Sequence, residues 1–333
     1  MSEFRQDPTS GTWVIVAPER AQRPGSWRTP DAADVATYDP TCPFCPGNEH
    51  LASAIIAEQS ATRLPGWYTR VVPNKYPAVS PHEGTAHPAS PYPAVAGHGR
   101  HEVIVETPRH DGDLTSLDEA EMAAVVDSYW QRYVALRAEH GIKAVVVFRN
   151  HRRHAGGSLA HPHAQIVALG MVPPWLATVA NWCRDEFHRH SRCATCDMLA
   201  RDLAEGQRLV EATERFALLV PFAASSPFEQ WLVPRSHQAS FAQSDAVARR
   251  EMAMLFQRAL LRLRTVRDDP PYNFAIESWQ ANGADQRYTH WRLRIVPRLG
   301  FPGGFELGSG LPINSSRPEA DAAALAGVRT ISP

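Results

Sequence analysis

Alternating apolar and polar positions along the chain predict many short strands and few long helices. An amphipathic stretch follows Ser116–Glu119, which has the S-x-x-E form of a capping box, and runs to about His140; a second spans about 244–266. β-rich apolar runs lie at 12–16, 67–72, 101–106, 144–148, 163–169, 216–220, 228–233, 272–277 and 290–297. Because short loops join most strands and each half has one long helix, the pattern predicts an antiparallel α+β fold.

The remaining segments predict loops and a terminal helix. The Pro-rich and Gly/Pro-rich stretches at 24–30 and 297–312 predict loops, and residues from 318 to about 329 predict a final helix.

One set of potential metal ligands occurs twice, in the same order. Each half has a C-x-x-C pair, then a His eight residues after a Glu (Glu102 in the first half, Glu229 in the second), then another His. The two sets are Cys42, Cys45, His110 and His161, followed by Cys193, Cys196, His237 and His290. This repetition predicts an internal duplication, with an N-terminal half at 1–172 and a C-terminal half at 173–333.

The ligand types predict zinc in both halves. Two thiolates and two imidazoles fit a closed tetrahedral zinc site that contributes folding energy. Four of the five cysteines lie in the two pairs, which suits metal binding in a reducing compartment better than disulfides, and Cys183 is expected to be a packing residue. We therefore expect two structural zinc ions per chain. Unliganded thiols are the alternative, mainly at the second set.

The run from His161 to Gln165 carries the candidate chemistry. Residues i, i+2 and i+4 of a strand share a face, so His161, His163 and Gln165 should line one surface if the segment is extended. A neutral imidazole at His163 would be a good nucleophile towards phosphorus, and Gln165 could donate hydrogen bonds to phosphoryl oxygens. The second half has Arg292 in place of His163, which predicts one working site. A hydrogen-bonded sheet histidine beside a solvent-facing Gln165 is the structural alternative.

Composition narrows the class of protein. The 333 residues are 44% hydrophobic and 21% charged, with a formal net charge of −1, which is typical of a globular protein and disfavours nucleic-acid binding. The N-terminus lacks a signal-peptide core, and no run approaches the ~20 apolar residues of a membrane span. These features predict a cytoplasmic protein without a membrane or nucleic-acid partner.

The motif His161-Pro162-His163-Ala164-Gln165, with Asn150 and Ser158 before it, resembles the active site of the galactose-1-phosphate uridylyltransferase family in the histidine-triad superfamily. The runs 20–24, 42–49 and 73–77 and the approach to His110 follow in family order. The resemblance implies a duplicated histidine-triad-like fold, a nucleotidyl-histidine at His163, and Gln165 contacting its phosphate.

The resemblance also implies substrate contacts and an assembly. Nucleotide sugars and sugar phosphates would be the substrates, and the protein would be a homodimer with the sugar pocket near the interface. Gly157 belongs to a small-residue run whose backbone N–H groups could approach a phosphate. The implied nucleotide and phosphate contacts are Arg20, Arg23, Asn74, Asn150 and Ser158, and the implied sugar contacts are Phe305 and Glu306.

The chain departs from the family pattern at positions that bear on the choice of substrates. The family pattern has Asn-Asp where this chain has Asn74-Lys75, and a Gln where this chain has Pro312. We expect uridylyl transfer from UDP-glucose to galactose 1-phosphate. The run 303–310 and the second metal set also resemble ADP-glucose phosphorylase, which makes adenylyl transfer to phosphate the chief alternative. A zinc-stabilised nucleotide-binding module without catalysis is the alternative from another class.

Overall fold

The computed structural model describes residues 2–22, 36–61, 66–81, 92–279 and 286–329. The loop predicted at 24–30 lies outside these ranges. Across the described part of the chain, no helix has both the length and the apolar content that a bilayer crossing requires.

The chain forms six helices and thirteen strands within the described ranges. The helices are α1 (Glu119–Arg137), α2 (Pro174–His190), α3 (Ala194–Glu205), α4 (Ala246–Arg267), α5 (Gly304–Ser309) and α6 (Pro318–Ala326). The strands are β1 (Glu3–Gln6), β2 (Trp13–Val16), β3 (Ala57–Ser60), β4 (Trp67–Pro73), β5 (Gly99–Val105), β6 (Ala144–His151), β7 (His163–Leu169), β8 (Leu209–Ala212), β9 (Phe216–Leu219), β10 (Gln230–Pro234), β11 (Tyr272–Glu277), β12 (Arg292–Pro297) and β13 (Ile313–Asn314).

Ten of these strands form one antiparallel sheet. Its order is β3-β4-β5-β7-β6-β11-β12-β10-β9-β8, while β1, β2 and β13 form a small separate sheet. Three strands, a helix and two strands follow one another in each half, and both halves place the fifth strand between the third and the fourth. The halves meet where β6 pairs with β11 from Val147↔Ile276 to His151↔Tyr272. The predicted α+β class and the duplicated histidine-triad-like topology are confirmed.

The long helices α1 and α4 pack together on one face of the sheet. Alternate residues of β7 (Ala164, Ile166 and Ala168) face them in the main core, together with Tyr129 from α1 and Phe256 from α4. The other face is covered in the second half by α3, whose Met198 and Leu199 pack on Trp231. The face of β7 opposite α1 therefore carries His163 and Gln165.

Most predicted elements occur, with differences at their ends. The bounds of β7 and β11 agree with the sequence pattern. The capping box predicted at Ser116–Glu119 is wrong. Asp118 caps α1 and Glu121 completes the box, whereas Ser116 belongs to a preceding 3-10 turn. The segment 297–312, predicted as loop, contains the short helix α5. The division at residue 172 stays a prediction.

Candidate active site and metal clusters

His163 opens β7 and is held through one ring nitrogen. Its Nδ1 donates to the backbone oxygen of His161 at 2.8 Å, since a carbonyl can only accept. In the neutral ring this leaves the lone pair on Nε2, for which no hydrogen bond is formed within the described ranges. Burial lowers the pKa of His163, and the charge of Arg149 lowers it further, while the bond to His161 opposes the shift. The neutral, nucleophilic form is therefore favoured at neutral pH.

The first predicted ligand set converges. The ligand atoms of Cys42, Cys45, His110 and His161 lie within 4.8 Å of one another, and all four residues are buried. Cys45 Sγ lies 3.2 Å from His110 Nδ1 and 3.7 Å from His161 Nδ1. The Nε2 of His161 donates to the Thr107 carbonyl at 2.8 Å, which directs its Nδ1 lone pair towards the thiols.

The second set converges in the same way. Cys193, Cys196, His237 and His290 also have ligand atoms within 4.8 Å of one another. The Nε2 of His290 donates to the Pro234 carbonyl at 3.0 Å, and that of His237 donates to the Gln286 carbonyl at 2.6 Å. His237 is exposed, so this cluster is more open to solvent than the first.

The donor sets fit a metal ion on the chemistry of their atoms. In each cluster one histidine, His161 or His290, presents Nδ1 to both cysteine sulfurs while its Nε2 donates to a backbone carbonyl. Burial raises the pKa of Cys42 to about 11, so its thiolate would need a cation beside it. Both clusters could hold a metal, as the sequence predicted.

Arg292 occupies the place in β12 that His163 occupies in β7, at the first residue of the strand. Its Nε donates to Glu277 at 2.7 Å, its Nη1 donates to Thr9 at 2.7 Å, and its guanidinium lies 3.6 Å from the centroid of the Trp231 ring. The side chain is thus a buried ion-pair partner.

The matching Glu-to-His spacing is not a structural equivalence. Glu102 pairs with Arg132 of α1, on the helix face of the sheet. Glu229 pairs with Arg294 and Trp231 on the opposite face. The spacing of eight residues between each Glu and the following His is therefore accidental. The histidines that it was used to match, His110 and His237, do lie in the two ligand clusters.

The candidate substrate contacts are brought together only in part. The Nδ2 of Asn74 lies 3.3 Å from Gln165 Oε1. Asn150, the last residue but one of β6, lies near Gly157, where an added Cβ would come within 2.9 Å of the Asn150 carbonyl oxygen. Ser158 follows and is exposed. Arg20 lies on an exposed 3-10 turn, and Arg23 is outside the described residues.

The two candidate sugar contacts lie on α5. Phe305 is exposed, and Glu306 lines a cavity of about 380 Å³ together with Ser226, Arg298 and Phe301. His163 is not among the described residues that line this cavity. His163 is therefore not part of the cavity that Glu306 lines.

Two polar side chains near the site were missed by the sequence analysis. His101 of β5 places Nε2 2.8 Å from Gln165 Oε1, and Asn273 of β11 donates to Asn150 Oδ1 at 2.8 Å. Both contacts cross between strands that are distant in sequence. Alternation along β5 was the available signal, because His101 shares a face with Val103 and Val105, and Val105 is the register partner of His163.

Buried charges support the end of β6. The side chain of Arg149, 4% exposed, lies 3.1 Å from Glu106 and 3.6 Å from Asp113, and donates to the Tyr272 hydroxyl at 2.8 Å. Beyond it, Asp269 accepts a hydrogen bond from Arg152. His151 lies 3.7 Å from Asp113 and 3.3 Å from Asp269, so these pairs form one network at the end of β6.

The fold and this geometry define a duplicated member of the histidine-triad superfamily with one candidate nucleophile. Residues 1–173 match the family model described as galactose-1-phosphate uridyl transferase, N-terminal domain. The chain belongs to the galactose-1-phosphate uridylyltransferase family, and it is an enzyme of the nucleotidyltransferase type.

Its relatives include both predicted activities. The chain is 31% identical over 328 residues to ADP-glucose phosphorylase of Arabidopsis thaliana, covering 95% of this chain and 90% of the relative. It is 27% identical to galactose-1-phosphate uridylyltransferase of Haemophilus influenzae, covering 87% and 81%. The crystal structure of the Arabidopsis thaliana phosphorylase with bound ADP-glucose superimposes with a TM-score of 0.86 at 30% identity, covering 99% of this chain and 100% of that one.

Proposed function

We propose that this chain transfers a nucleotidyl group from a nucleotide sugar in two steps, through a covalent adduct on His163. The observation that carries the proposal is the hydrogen bond from His163 Nδ1 to the His161 carbonyl. It fixes the tautomer that leaves the Nε2 lone pair available, in a side chain whose pKa burial lowers.

In the first step the Nε2 lone pair attacks the α-phosphorus of the nucleotide sugar. The P–N bond forms, the P–O bond to the β-phosphate breaks, and the sugar 1-phosphate leaves with the electron pair. The ring keeps its Nδ1 proton and becomes a cation, and this N–H still donates its hydrogen bond to the His161 carbonyl. In the second step an acceptor phosphate oxygen attacks phosphorus, the P–N bond breaks, and neutral His163 is restored.

The principal proposed reaction is uridylyl transfer from UDP-glucose to galactose 1-phosphate, giving UDP-galactose and glucose 1-phosphate. The family match over residues 1–173 supports it. A second candidate is phosphorolysis of ADP-glucose, in which phosphate is the acceptor. The 31% identity and the TM-score of 0.86 to the Arabidopsis thaliana phosphorylase favour this candidate.

Other residues have supporting roles in this proposal. Gln165 donates to the phosphoryl oxygens as charge builds in the transition state. Two zinc ions, one in each Cys₂His₂ cluster, stabilise the fold, and the first also fixes the backbone ahead of His163. The proposed nucleotide and sugar contacts are Arg20, Arg23, Asn74, Asn150, Gly157, Ser158, Phe305 and Glu306. We place the enzyme in the cytoplasm as a homodimer.

The test is an intact-mass measurement after mixing the purified protein with UDP-glucose or ADP-glucose and quenching without acid. Wild type should gain one uridylyl or one adenylyl group, and the nucleotide that labels faster identifies the donor. His163→Ala should gain nothing while keeping its fold and metal content. His188→Ala, at an exposed histidine of α2, is the matched control and should label like wild type.

Two results would contradict the proposal. A wild-type protein that binds either nucleotide sugar without gaining mass would be a binding module. Turnover above roughly 1% of wild type in His163→Ala would refute the nucleophile assignment, because losing a nucleophile costs several orders of magnitude.

A further inference from the structure

The orientation of the Gln165 amide is set by two side chains, His101 and Asn74, that donate hydrogen bonds to its oxygen. The backbone N–H of Ala78 donates to His101 Nδ1 at 3.0 Å. A backbone amide nitrogen cannot accept, so Nδ1 of His101 carries the lone pair and the proton of the neutral ring is on Nε2. That Nε2 lies 2.8 Å from Gln165 Oε1 and donates to it.

A second backbone group orients Asn74 in the same sense. The N–H of Tyr76 donates to Asn74 Oδ1 at 2.8 Å, which assigns Nδ2 as the other end of that amide. Asn74 Nδ2 lies 3.3 Å from Gln165 Oε1, within reach of a second hydrogen bond to that oxygen. Both neighbours of Oε1 are therefore donors, and the assignment of Gln165 follows from two backbone N–H groups.

With Oε1 occupied, the Nε2 of Gln165 is the free end of the amide. No hydrogen bond from this nitrogen is formed within the described part of the chain. Gln165 lies on the same face of β7 as His163, two residues further along the strand. A donor aimed at phosphoryl oxygens needs this orientation, because a reversed amide would present its oxygen to an anion.

We propose that His101 is the positioning residue that holds Gln165 with its NH₂ group towards the substrate phosphate, with Asn74 as the secondary support. This inference rests on the proposed nucleotidyl transfer and adds to it a residue that acts through Gln165. Its contribution is to keep one donor preorganised, so its loss should lower the maximum rate more than the affinity for the nucleotide sugar.

The test is the rate of formation of the covalent nucleotidyl adduct as a function of nucleotide-sugar concentration. His101→Leu removes one donor and should slow the maximum rate about tenfold, which corresponds to about one hydrogen bond. His101→Glu presents an acceptor to Gln165, should reverse its amide, and should slow the rate about 10²-fold, the cost of losing one preorganised donor.

A conservative variant and a matched control test whether the effect is specific. His101→Gln can place an amide nitrogen near the position of the imidazole Nε2, and should recover the rate to within about threefold of wild type. His188→Leu, at an exposed histidine of α2, should match wild type. Thermal melts and zinc content are measured for each variant, and a rate loss that follows a loss of fold would overturn the proposal.

A double-mutant cycle gives the decisive readout. In a Gln165→Ala background there is no amide to orient, so His101→Leu and His101→Glu should change the rate by less than about twofold. If the losses instead add fully to that of Gln165→Ala, His101 has another role and the inference is wrong while the proposed function stands. If wild type forms no adduct with either nucleotide sugar, the proposed function fails and this inference fails with it.

Discussion

Replacing Arg149 tests whether the buried ion-pair network supports the sheet beneath the site. Glu106 is fully buried, and its charged neighbour is Arg149 at 3.1 Å. Burial raises the pKa of Glu106, and the charge of Arg149 opposes that rise. Arg149→Met keeps an apolar chain of similar length but leaves the carboxyl group of Glu106 without its cation. We expect the free energy of unfolding to fall by about 3–5 kcal/mol, the cost of breaking a buried pair by removing one partner.

The assay is urea unfolding of the metal-loaded protein, followed by tryptophan fluorescence. Glu106→Gln and the double variant complete a cycle, and the double variant should be more stable than the sum of the two single losses predicts. Arg100→Met is the matched control. Arg100 and Glu139 are paired at 2.8 Å but are 43% and 36% exposed, so this change should cost at most about 1 kcal/mol.

Equal losses in Arg149→Met and Arg100→Met would refute the argument, because burial of the pair would then have no energetic consequence. Additive losses in the cycle would show that Arg149 stabilises the protein through its contacts with Tyr272 and Asp113 instead of Glu106.

Three further predictions test other parts of the molecule. Native mass spectrometry should find two zinc ions per chain and one in Cys193→Ser; a single ion in wild type would remove the second site. Burial raises the pKa of Asp321 from 3.8 to about 6, so the folded state holds that proton more tightly than the unfolded state, and stability falls as pH rises through this window. Asp321→Asn should become more stable relative to wild type by up to about 3 kcal/mol between pH 4 and pH 7 in urea titrations, and a constant difference would contradict the shift. Gly99→Ala places a Cβ 2.0 Å from the Ala168 carbonyl oxygen and should lower unfolding stability by about 1–3 kcal/mol, whereas Gly97→Ala, with no atom within 4 Å, should change it by less than about 0.5 kcal/mol; equal effects would refute the close approach.

Local pattern was sufficient for nine of the thirteen strands, all but β1, β3, β8 and β13, and for the face of β7. The apolar alternation from Ala164 to Ala168 predicts a strand with one buried face, and it follows that His163 and Gln165 share the other. The repeated order Cys, Cys, His, His predicted both ligand clusters. Cysteine pairs and histidines are rare enough in this chain for the two halves to be aligned by them. Their convergence was a prediction about tertiary structure, and the ligand distances confirm it.

Contacts across the sheet could not be predicted in the same way. β7 lies between β5 and β6 only because the chain returns there after α1 and β6. Alternation along β5 therefore indicates which face His101 occupies, but it does not indicate the contact with Gln165. The capping box shows a second limit. Ser116 and Asp118 are both good N-cap residues, and the 3-10 turn that precedes α1 decides between them.

The pairing of β6 with β11 has a consequence for how the enzyme can move. A ladder from Val147↔Ile276 to His151↔Tyr272 joins the halves, and swinging them apart would break backbone hydrogen bonds in the middle of the sheet. Substrates must therefore bind, and products leave, while the central sheet stays intact. Only side chains and connecting segments on the face of the sheet that carries the site rearrange. Turnover should then tolerate cross-linking of the two halves.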